Sequence, residues 1–168
     1  MTTTDPRSGC PINLAVEILG DRWSLVVLRD MIFGNRRSYG ELHGQSLEKI
    51  ATNILASRLK RLVAVGLISG ADDPAHSQRT IYSLTEQAIA LVPVIVQMSI
   101  WGAHWLDATP ELAARALALE AGGAEMTAAL QAELRHLHLG APAPDRSVLA
   151  ELGTVYAKAA AQAGARPA

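Results

Sequence analysis

The chain has 168 residues, of which 49% are hydrophobic and 4% aromatic, and its formal net charge is −1. This length allows one ordinary domain with an appendage and excludes two large domains. The apolar fraction excludes global disorder, and abundant alanine and leucine beside few aromatic residues favour a helical protein over a β-sandwich or barrel. Cys10 is the only cysteine, so an intramolecular disulfide is excluded and nothing indicates an oxidising compartment.

The first residues contain no apolar core of the kind that a secretory signal needs. We also find no uninterrupted apolar stretch long enough to span a membrane. The sequence therefore predicts a soluble, cytoplasmic protein without a membrane partner. Residues 1–9 are expected to form a flexible arm.

Positive charge is concentrated in one segment. Between residues 34 and 70 there are six basic residues and two acids, a net of +4, whereas residues 86–168 hold five basic residues and eight acids, a net of −3. A local basic cluster of this kind is typical of a nucleic-acid-binding surface, even when the overall charge is near zero. A solvated surface of mixed charge gives similar counts, so the clustering alone does not decide.

Three helices are predicted before residue 44. Residues 11–19 carry apolar side chains at helical spacing, and Asp21 is suited to cap a second helix over residues 22–33. The pair Gly34-Asn35 is typical of a helix end. A short third helix is expected over residues 38–43.

A polar turn at residues 44–49 leads to a fourth helix, predicted over residues 51–65. At about 100° per residue, its three leucines form one apolar stripe, while short polar side chains occupy the opposite face. A helix that enters the DNA major groove needs this composition, because one face anchors it and the other reaches base edges. We therefore predict base-reading roles for Thr52, Asn53, Ala56, Ser57 and Lys60. A solvated polar face on an ordinary surface helix is the alternative.

The periodicity then changes from helix to strand. Residues 67–69 and 80–84 are β-branched or aromatic strand signals, with a polar loop over residues 71–78. Thr85 is suited to cap a long apolar helix that ends near Leu106 and contains Pro93 as a kink. Helices, a two-stranded wing and a further helix make up the winged helix-turn-helix arrangement, so the predicted fold class is mainly α with a two-stranded β wing.

Basic side chains around the fourth helix are assigned by position. Arg58 lies near the apolar stripe, so we expect it to make a structural ion pair rather than to read bases, with a phosphate contact as the alternative. Residues that precede the third helix, end the fourth helix or lie in the wing are expected to contact the DNA backbone or the groove beside the wing. These are Arg36, Arg37, Arg61 and Arg79.

Several short motifs follow one another in order. They are Cys10-Pro11, Leu19-Gly20-Asp21-Arg22-Trp23, Leu28-Arg29-Asp30, Tyr39-Gly40-Glu41-Leu42, Ile50-Ala51-Thr52-Asn53-Ile54-Leu55 and Tyr82-Ser83-Leu84-Thr85. Together they resemble the HxlR-type regulators, which are relatives of the MarR group, over residues 10–106. The resemblance implies a homodimer on a pseudo-palindromic operator, with N-terminal and post-wing helices at the dimer interface. It implies interface positions at Leu14, Ile18, Leu91, Ile95 and Trp101.

Cys10 occupies the place where some proteins of that type sense electrophiles or oxidants. A thiol at a helix start can have a depressed pKa and react as the thiolate. Cys10 is therefore a candidate redox sensor, and the alternative is that it only begins the first helix and packs at the interface.

Residues 107–168 extend beyond the resemblance. Alanine-rich helices are predicted over residues 110–120, 124–139 and 148–162. They could widen the interface, form a small effector pocket or serve as a tail, and the sequence leaves these three open.

Signatures of common enzymes are absent, including phosphate-binding loops, dinucleotide fingerprints, zinc-protease motifs and the esterase nucleophile motif. Glu133 and His136 have Glu-x-x-His spacing but no second copy, so no metal site and no cofactor are predicted. The favoured function is a DNA-binding transcription regulator, not an enzyme, with a small-molecule effector as an additional expected partner. The alternatives are a winged-helix protein-interaction module and a small-ligand-binding protein.

Overall fold

The computed structural model describes residues 7–165, so residues 1–6 of the predicted arm lie outside the described residues. The chain divides into two compact units that meet between Ala88 and Ile89. This division lies within the post-wing segment, whereas the sequence analysis placed a boundary at residue 106. Each unit is described by itself below.

Four helices of the first unit match the predicted helices to within two residues: α1 Pro11–Leu19, α2 Arg22–Gly34, α3 Tyr39–Gly44 and α4 Thr52–Ala64. Local side-chain bonds define where they begin. Asp21 caps α2 by accepting a hydrogen bond from the Ser24 N–H at 3.1 Å. Ser38 and Glu41 form a reciprocal capping box at the start of α3. At the end of α2, Asn35 adopts the left-handed conformation at φ 46°.

The wing is an antiparallel pair, β1 Ile68–Asp73 and β2 His76–Leu84, with Ile68 opposite Leu84. Both strands extend into the predicted loop at 71–78, because a short turn at residues 74–75 is sufficient to reverse the chain. Ahead of α3, Ser38 forms an isolated antiparallel bridge with Ile81. The wing is thereby joined directly to the start of the helix-turn-helix.

One apolar core holds α2, α3, α4 and the base of the wing together. Its fully buried side chains come from every one of these elements: Leu28, Met31, Ile32, Leu42, Leu55, Leu59, Leu62, Leu67, Ile68 and Leu84. Burial of each such side chain contributes about 1.5–3 kcal/mol. The helix-turn-helix and the wing therefore form one rigid body.

The post-wing segment consists of two helices, α5 Glu86–Ile89 and α6 Val92–Trp105, rather than one kinked helix. Thr85 caps the first, since its hydroxyl accepts from the Ala88 N–H at 3.4 Å. Pro93 lies in the first turn of α6. That turn needs no N–H from a proline, so Pro93 begins a helix here instead of kinking one.

The stretch Glu86–Trp105 is long and apolar enough to cross a membrane by length and composition alone, whereas the sequence analysis found no stretch long enough. An apolar helix of a soluble protein meets the same criterion. One third of the stretch is buried inside the protein.

Two long helices complete the second unit, α7 Pro110–Leu139 and α8 Val148–Gly164. The predicted break at Gly122-Gly123 is a kink within α7, where Gly123 has φ 57° and ψ −146°. Only glycine adopts this conformation readily. Glu133 is buried and accepts hydrogen bonds from the Leu149 N–H at 3.0 Å and from the Ser147 hydroxyl, and so helps to cap α8.

Candidate nucleic-acid interface

Helix α4 is anchored by the apolar stripe that the sequence predicted. Leu55, Leu59 and Leu62 are each no more than 2% exposed. The tight contact fixes the rotation of the helix about its axis, because turning it would expose three leucines at about 1.5–3 kcal/mol each. The rotation of α4 decides which side chains face away from the core.

The outward face of α4 holds all five predicted base readers. Thr52, Asn53, Ala56, Ser57 and Lys60 are exposed. Asn53 offers an amide that can pair with adenine, Lys60 a cation, and Ala56 a small surface that permits close approach. We call this set the reading face.

The start of α4 is held by a hydrogen bond from α3. The Tyr39 hydroxyl donates to the Thr52 carbonyl at 3.0 Å, and the Tyr39 ring stacks on His43 with centroids 6.0 Å apart. The residue before the helix, Ala51, has no side chain that could cap it. The N-cap residue thus offers no side-chain acceptor to the first-turn N–H groups of α4, at the end that carries Thr52 and Asn53.

Two arginines on α4 hold the corner between α1 and α2. Arg58 Nε lies 2.5 Å from Asp21 Oδ2, which confirms the predicted structural ion pair. Arg61 donates to the Glu17 carbonyl in the last turn of α1 at 2.6 Å. Arg61 was predicted as a DNA backbone contact, and in the free protein its guanidinium joins α4 to α1.

Arg36 and Arg37 also contact the protein itself. Arg36 forms a 2.8 Å ion pair with Asp30, whose side chain is only 5% exposed. Arg37 Nε donates to the Tyr82 carbonyl at 3.2 Å, and its guanidinium also donates to the Ser83 hydroxyl. Both guanidinium groups therefore stabilise the junction of α2, α3 and the wing in the unbound state.

A chain of charges braces the turn between α3 and α4. Arg29 bonds both carboxylate oxygens of Glu48 at 2.5 and 2.7 Å, and it also bonds Asp30 at 2.7 Å. The hydrogen bond from Arg29 is the main reason that the pKa of Glu48 is lowered. Through Asp30 the chain continues to Arg36, so α2 holds the segments on both sides of α3.

The wing contributes a loosely held arginine. Arg79 is 41% exposed and lies 3.7 Å from both Glu41 and Asp73. Glu41 is engaged chiefly by Ser38, whose hydrogen bond lowers the pKa of the Glu41 carboxyl. The Arg79 guanidinium is therefore weakly restrained compared with those of Arg36 and Arg37.

Sequence reasoning missed Lys49. This residue has φ 50°, an uncommon conformation for a non-glycine residue, and is exposed immediately before α4. Within residues 7–165, Lys49 and Lys60 make no ion pair, whereas ion pairs are formed by four arginines of the same unit, Arg29, Arg36, Arg58 and Arg79. The basic charge count of this segment included Lys49, but it did not show that Lys49 is exposed and outside any ion pair.

Cys10 is exposed, is not in a disulfide and lies at the N-cap of α1. The backbone N–H groups of Asn13 and Ile12 stabilise the thiolate and lower the pKa of the Cys10 thiol. The local geometry is thus suited to a reactive thiol.

The predicted dimer positions differ in exposure. Leu14 is 41% and Trp101 58% exposed, Ile18 and Leu91 are half-buried, and Ile95 is 8% exposed within its own unit. Helix α1 has no buried residue at all. Among residues 7–165, no group of three or more His, Cys, Asp or Glu residues is arranged to hold a metal ion.

The helix-turn-helix, wing and following helix match a family model described as the HxlR-like helix-turn-helix, over residues 18–110. These residues make up more than half of the chain. The chain belongs to the HxlR-like helix-turn-helix family. It is a transcription regulator of the HxlR-like, MarR-related winged-helix type.

Similar proteins support this HxlR-like assignment. An uncharacterized HTH-type transcriptional regulator from Synechocystis sp. is 35% identical over 101 residues, which are 58% of this chain and 71% of that protein. The crystal structure of PA1607, a candidate transcription factor, has a TM-score of 0.56 at 33% identity and covers 63% of this chain and 72% of its own. A candidate MarR-family regulator from Porphyromonas gingivalis W83 has a TM-score of 0.50 at 29% identity, covering 59% and 95%.

The HxlR-like match has a defined end. It stops at Pro110, the first residue of α7. Helices α7 and α8 are therefore an addition to the part of the chain that the family model describes.

Proposed function

We propose that the protein binds DNA sequence-specifically as a homodimer, on a pseudo-palindromic operator, with α4 in the major groove. One observation carries the proposal: the reading face is exposed while the opposite stripe of α4 is buried at 2% or less. Asn53 pairs with an adenine edge and Lys60 with guanine or a phosphate, while Ala56 and Ser57 allow close approach. The proposed place of action is the cytoplasm.

Charge supports the same surface. Within residues 7–165, Lys60 on the reading face and Lys49 ahead of α4 make no ion pair, and Arg79 in the wing is weakly restrained. We assign Lys49 and Arg79 to the phosphate backbone or the groove beside the wing, in addition to the guanine or phosphate contact proposed for Lys60. Arg36, Arg37 and Arg61 contribute to backbone contact only by exchanging an internal partner for a phosphate, which lowers their net gain.

Exposed apolar helices support the homodimer. On α1, Ile12 is 75% and Val16 57% exposed, and on α6, Trp101 is 58% and Trp105 75% exposed. Apolar surface of this extent on a helix is typical of a partner contact. Leu14, Ile18, Leu91 and Trp101 belong to the proposed interface directly, whereas Ile95 supports it from within its own unit.

Selection of bound fragments from a random DNA pool by the full-length protein tests the proposal. We expect a pseudo-palindrome with half-sites about one helical turn, roughly 34–36 Å, apart. Asn53→Ala should weaken binding to the selected site about 5- to 150-fold and relax the preference at one base position, since a bidentate base contact contributes about 1–3 kcal/mol. Lys60→Ala should weaken binding and reduce the salt dependence.

Matched controls come from exposed residues on α8. Gln162→Ala and Lys158→Ala remove the same kinds of group from a helix of the second unit, outside the segment matched by the family model, and should leave binding unchanged. Binding without sequence preference, or an Asn53→Ala variant that binds as tightly as the wild type, would refute the proposal. The first outcome would favour a protein-interaction module that keeps the winged helix but does not read DNA.

We further propose that Cys10 makes DNA binding responsive to electrophiles or oxidants. Its exposure, its position at the start of α1 and the lowered pKa of its thiol support this role. Since α1 is joined to α4 by the bond from Arg61 to Glu17, a change at α1 has a short path to the reading face.

A further inference from the structure

The second unit contains a groove between α6 and α7. Its volume is about 410 Å³, within the range of roughly 300–1,000 Å³ typical of small-molecule sites. Pro93 and Ile100 form the wall from α6, and Ala124 and Ala128 form the wall from α7. Small and apolar side chains on both walls leave room for a flat apolar body.

The groove lies where α7 bends. Gly123, with its left-handed φ of 57°, lines it directly, and Gly122 has no space for a side chain because a Cβ there would fall 2.5 Å from the Cβ of Met126. The two glycines therefore determine the shape of the groove. Both lie beyond the segment that matches the family model, so the groove depends on this chain's own extension.

The lining of the groove contains an acidic side chain and no basic one. Glu120 is its only ionisable lining residue, and the other polar lining groups are the amides of Gln97 and Gln131 and the hydroxyl of Thr127. The Thr127 hydroxyl donates to the Gly123 carbonyl at 3.0 Å, which leaves its lone pairs to accept. His104 Nε2 lies 2.8 Å from Oε2 of the Glu120 carboxylate, so it is the other oxygen, Oε1, that is left to accept from a ligand. A carboxylate ligand would thus meet repulsion, and an organic cation would meet an acceptor.

We propose that this groove binds a small organic amine, with its apolar body between Ile100 and Ala128 and its ammonium group beside Glu120. Gln97 and Thr127 would accept the remaining ammonium hydrogens. The proposal deepens the effector response of the regulator. Its test uses the protein without DNA, so failure here is distinguishable from failure of DNA reading.

Three probes that share one skeleton test the charge preference: 4-phenylbutylamine, 4-phenylbutan-1-ol and 4-phenylbutyrate. Calorimetry of the full chain, at low salt and about pH 8, measures each dissociation constant. We expect the amine to bind about fivefold more tightly than the alcohol, and the carboxylate to bind most weakly. An exposed ion pair contributes at most about this factor.

Substitutions in and outside the groove then test whether the amine binds there, beside Glu120. Glu120→Gln should reduce amine affinity to that of the alcohol, whereas Glu125→Gln, on the same helix but outside the groove, should leave the preference unchanged. Ala128→Trp and the milder Ala124→Leu should weaken all three probes together by filling the groove. Circular dichroism identifies any variant that fails to fold.

Four results would overturn the proposal. The first is that no probe binds at millimolar concentration, and the second is that the carboxylate binds as tightly as the amine. The third is that Glu120→Gln and Glu125→Gln change the amine affinity equally. The fourth is that Ala128→Trp converts a dimer to a monomer in the absence of any probe. The last would show that a second copy of the chain occupies the groove.

Discussion

Arg58 Nε and Asp21 Oδ2 lie 2.5 Å apart, so the helix proposed to read DNA is ion-paired to the residue that caps α2. Burial alone would raise the pKa of the Asp21 carboxyl, but hydrogen bonds from Ser24 and the charge of Arg58 outweigh it and lower that pKa. The same carboxylate thus starts one helix and orients another.

Replacing Asp21 separates these two roles. Asn also caps helices, so Asp21→Asn should lower the free energy of unfolding by less than about 1 kcal/mol, chiefly because the ion pair is lost. Asp21→Ala should lower it by about 1–2 kcal/mol, because the cap is lost as well. Urea unfolding measures both, with the exposed Asp72→Asn as a control near zero. Equal costs for the Asn and Ala variants would mean that the cap contributes nothing.

The pH dependence has a definite sign. A carboxyl whose pKa is lowered by folding stabilises the protein above its unfolded pKa of about 3.9, and this contribution is lost as pH falls through the lower folded value. Wild type should therefore lose stability on acidification below about pH 4, and Asp21→Asn should lose less over the same range. A steeper loss in the variant would contradict the assignment.

Arg29 should contribute more to the free energy of unfolding than an exposed arginine with a similar ion pair. Arg29→Met removes the bidentate bond to Glu48 and leaves the buried Asp30 with Arg36 alone, so we expect a loss of about 2–3 kcal/mol. Arg146→Met, which breaks the exposed pair with Glu151, should cost less than about 1 kcal/mol. Urea midpoints compare the two variants, and similar losses would refute a special role for the Asp30 network.

Trp101→Glu tests the proposed dimer contact. Trp101 is 58% exposed. If it is buried at a partner contact, a carboxylate in its place would lose its hydration without gaining a partner. Sedimentation of the variant should therefore show a monomer at concentrations where the wild type is a dimer. Leu47→Glu alters an equally exposed apolar residue, at 64%, in the turn before α4, and should leave the association state unchanged. If Leu47→Glu dissociates the dimer and Trp101→Glu does not, the interface includes Leu47 and not Trp101.

Diamide tests Cys10. Because the pKa of its thiol is lowered, the thiolate fraction at neutral pH exceeds that of an ordinary cysteine, and modification should weaken binding to the selected DNA site severalfold. Cys10→Ser should bind DNA as the untreated wild type does and should not respond to diamide. An equal response in both proteins would exclude sensing by Cys10.

Much of the first unit follows from the sequence because its signals are local. The leucines of α4 recur at helical spacing, Asp21 and Ser38 are cap residues at helix starts, and Gly66 supplies the positive φ of 78° that follows α4. Each signal involves neighbours within a few residues, so it can be read without a structure. The reading face followed from the same periodicity.

Partners of charged residues were decided by tertiary structure. Arg36, Arg37 and Arg61 appear in the sequence as part of a basic cluster, but folding brings Asp30, the wing carbonyl of Tyr82 and the carbonyl of Glu17 to them. A charge count cannot distinguish an arginine that has an internal partner from a lysine such as Lys49, which makes no ion pair within residues 7–165. The difference depends on contacts between residues far apart in the chain.

The sequence by itself determined the winged helix-turn-helix, its anchored fourth helix and the family to which the chain belongs. Only the tertiary structure decided that Pro93 begins a helix, that the break at Gly122-Gly123 is a kink within α7 and that a groove with a single carboxylate lies between α6 and α7. The physical reason is range: helix periodicity and capping arise within one or two turns, whereas a groove and its charge exist only once separate helices have packed.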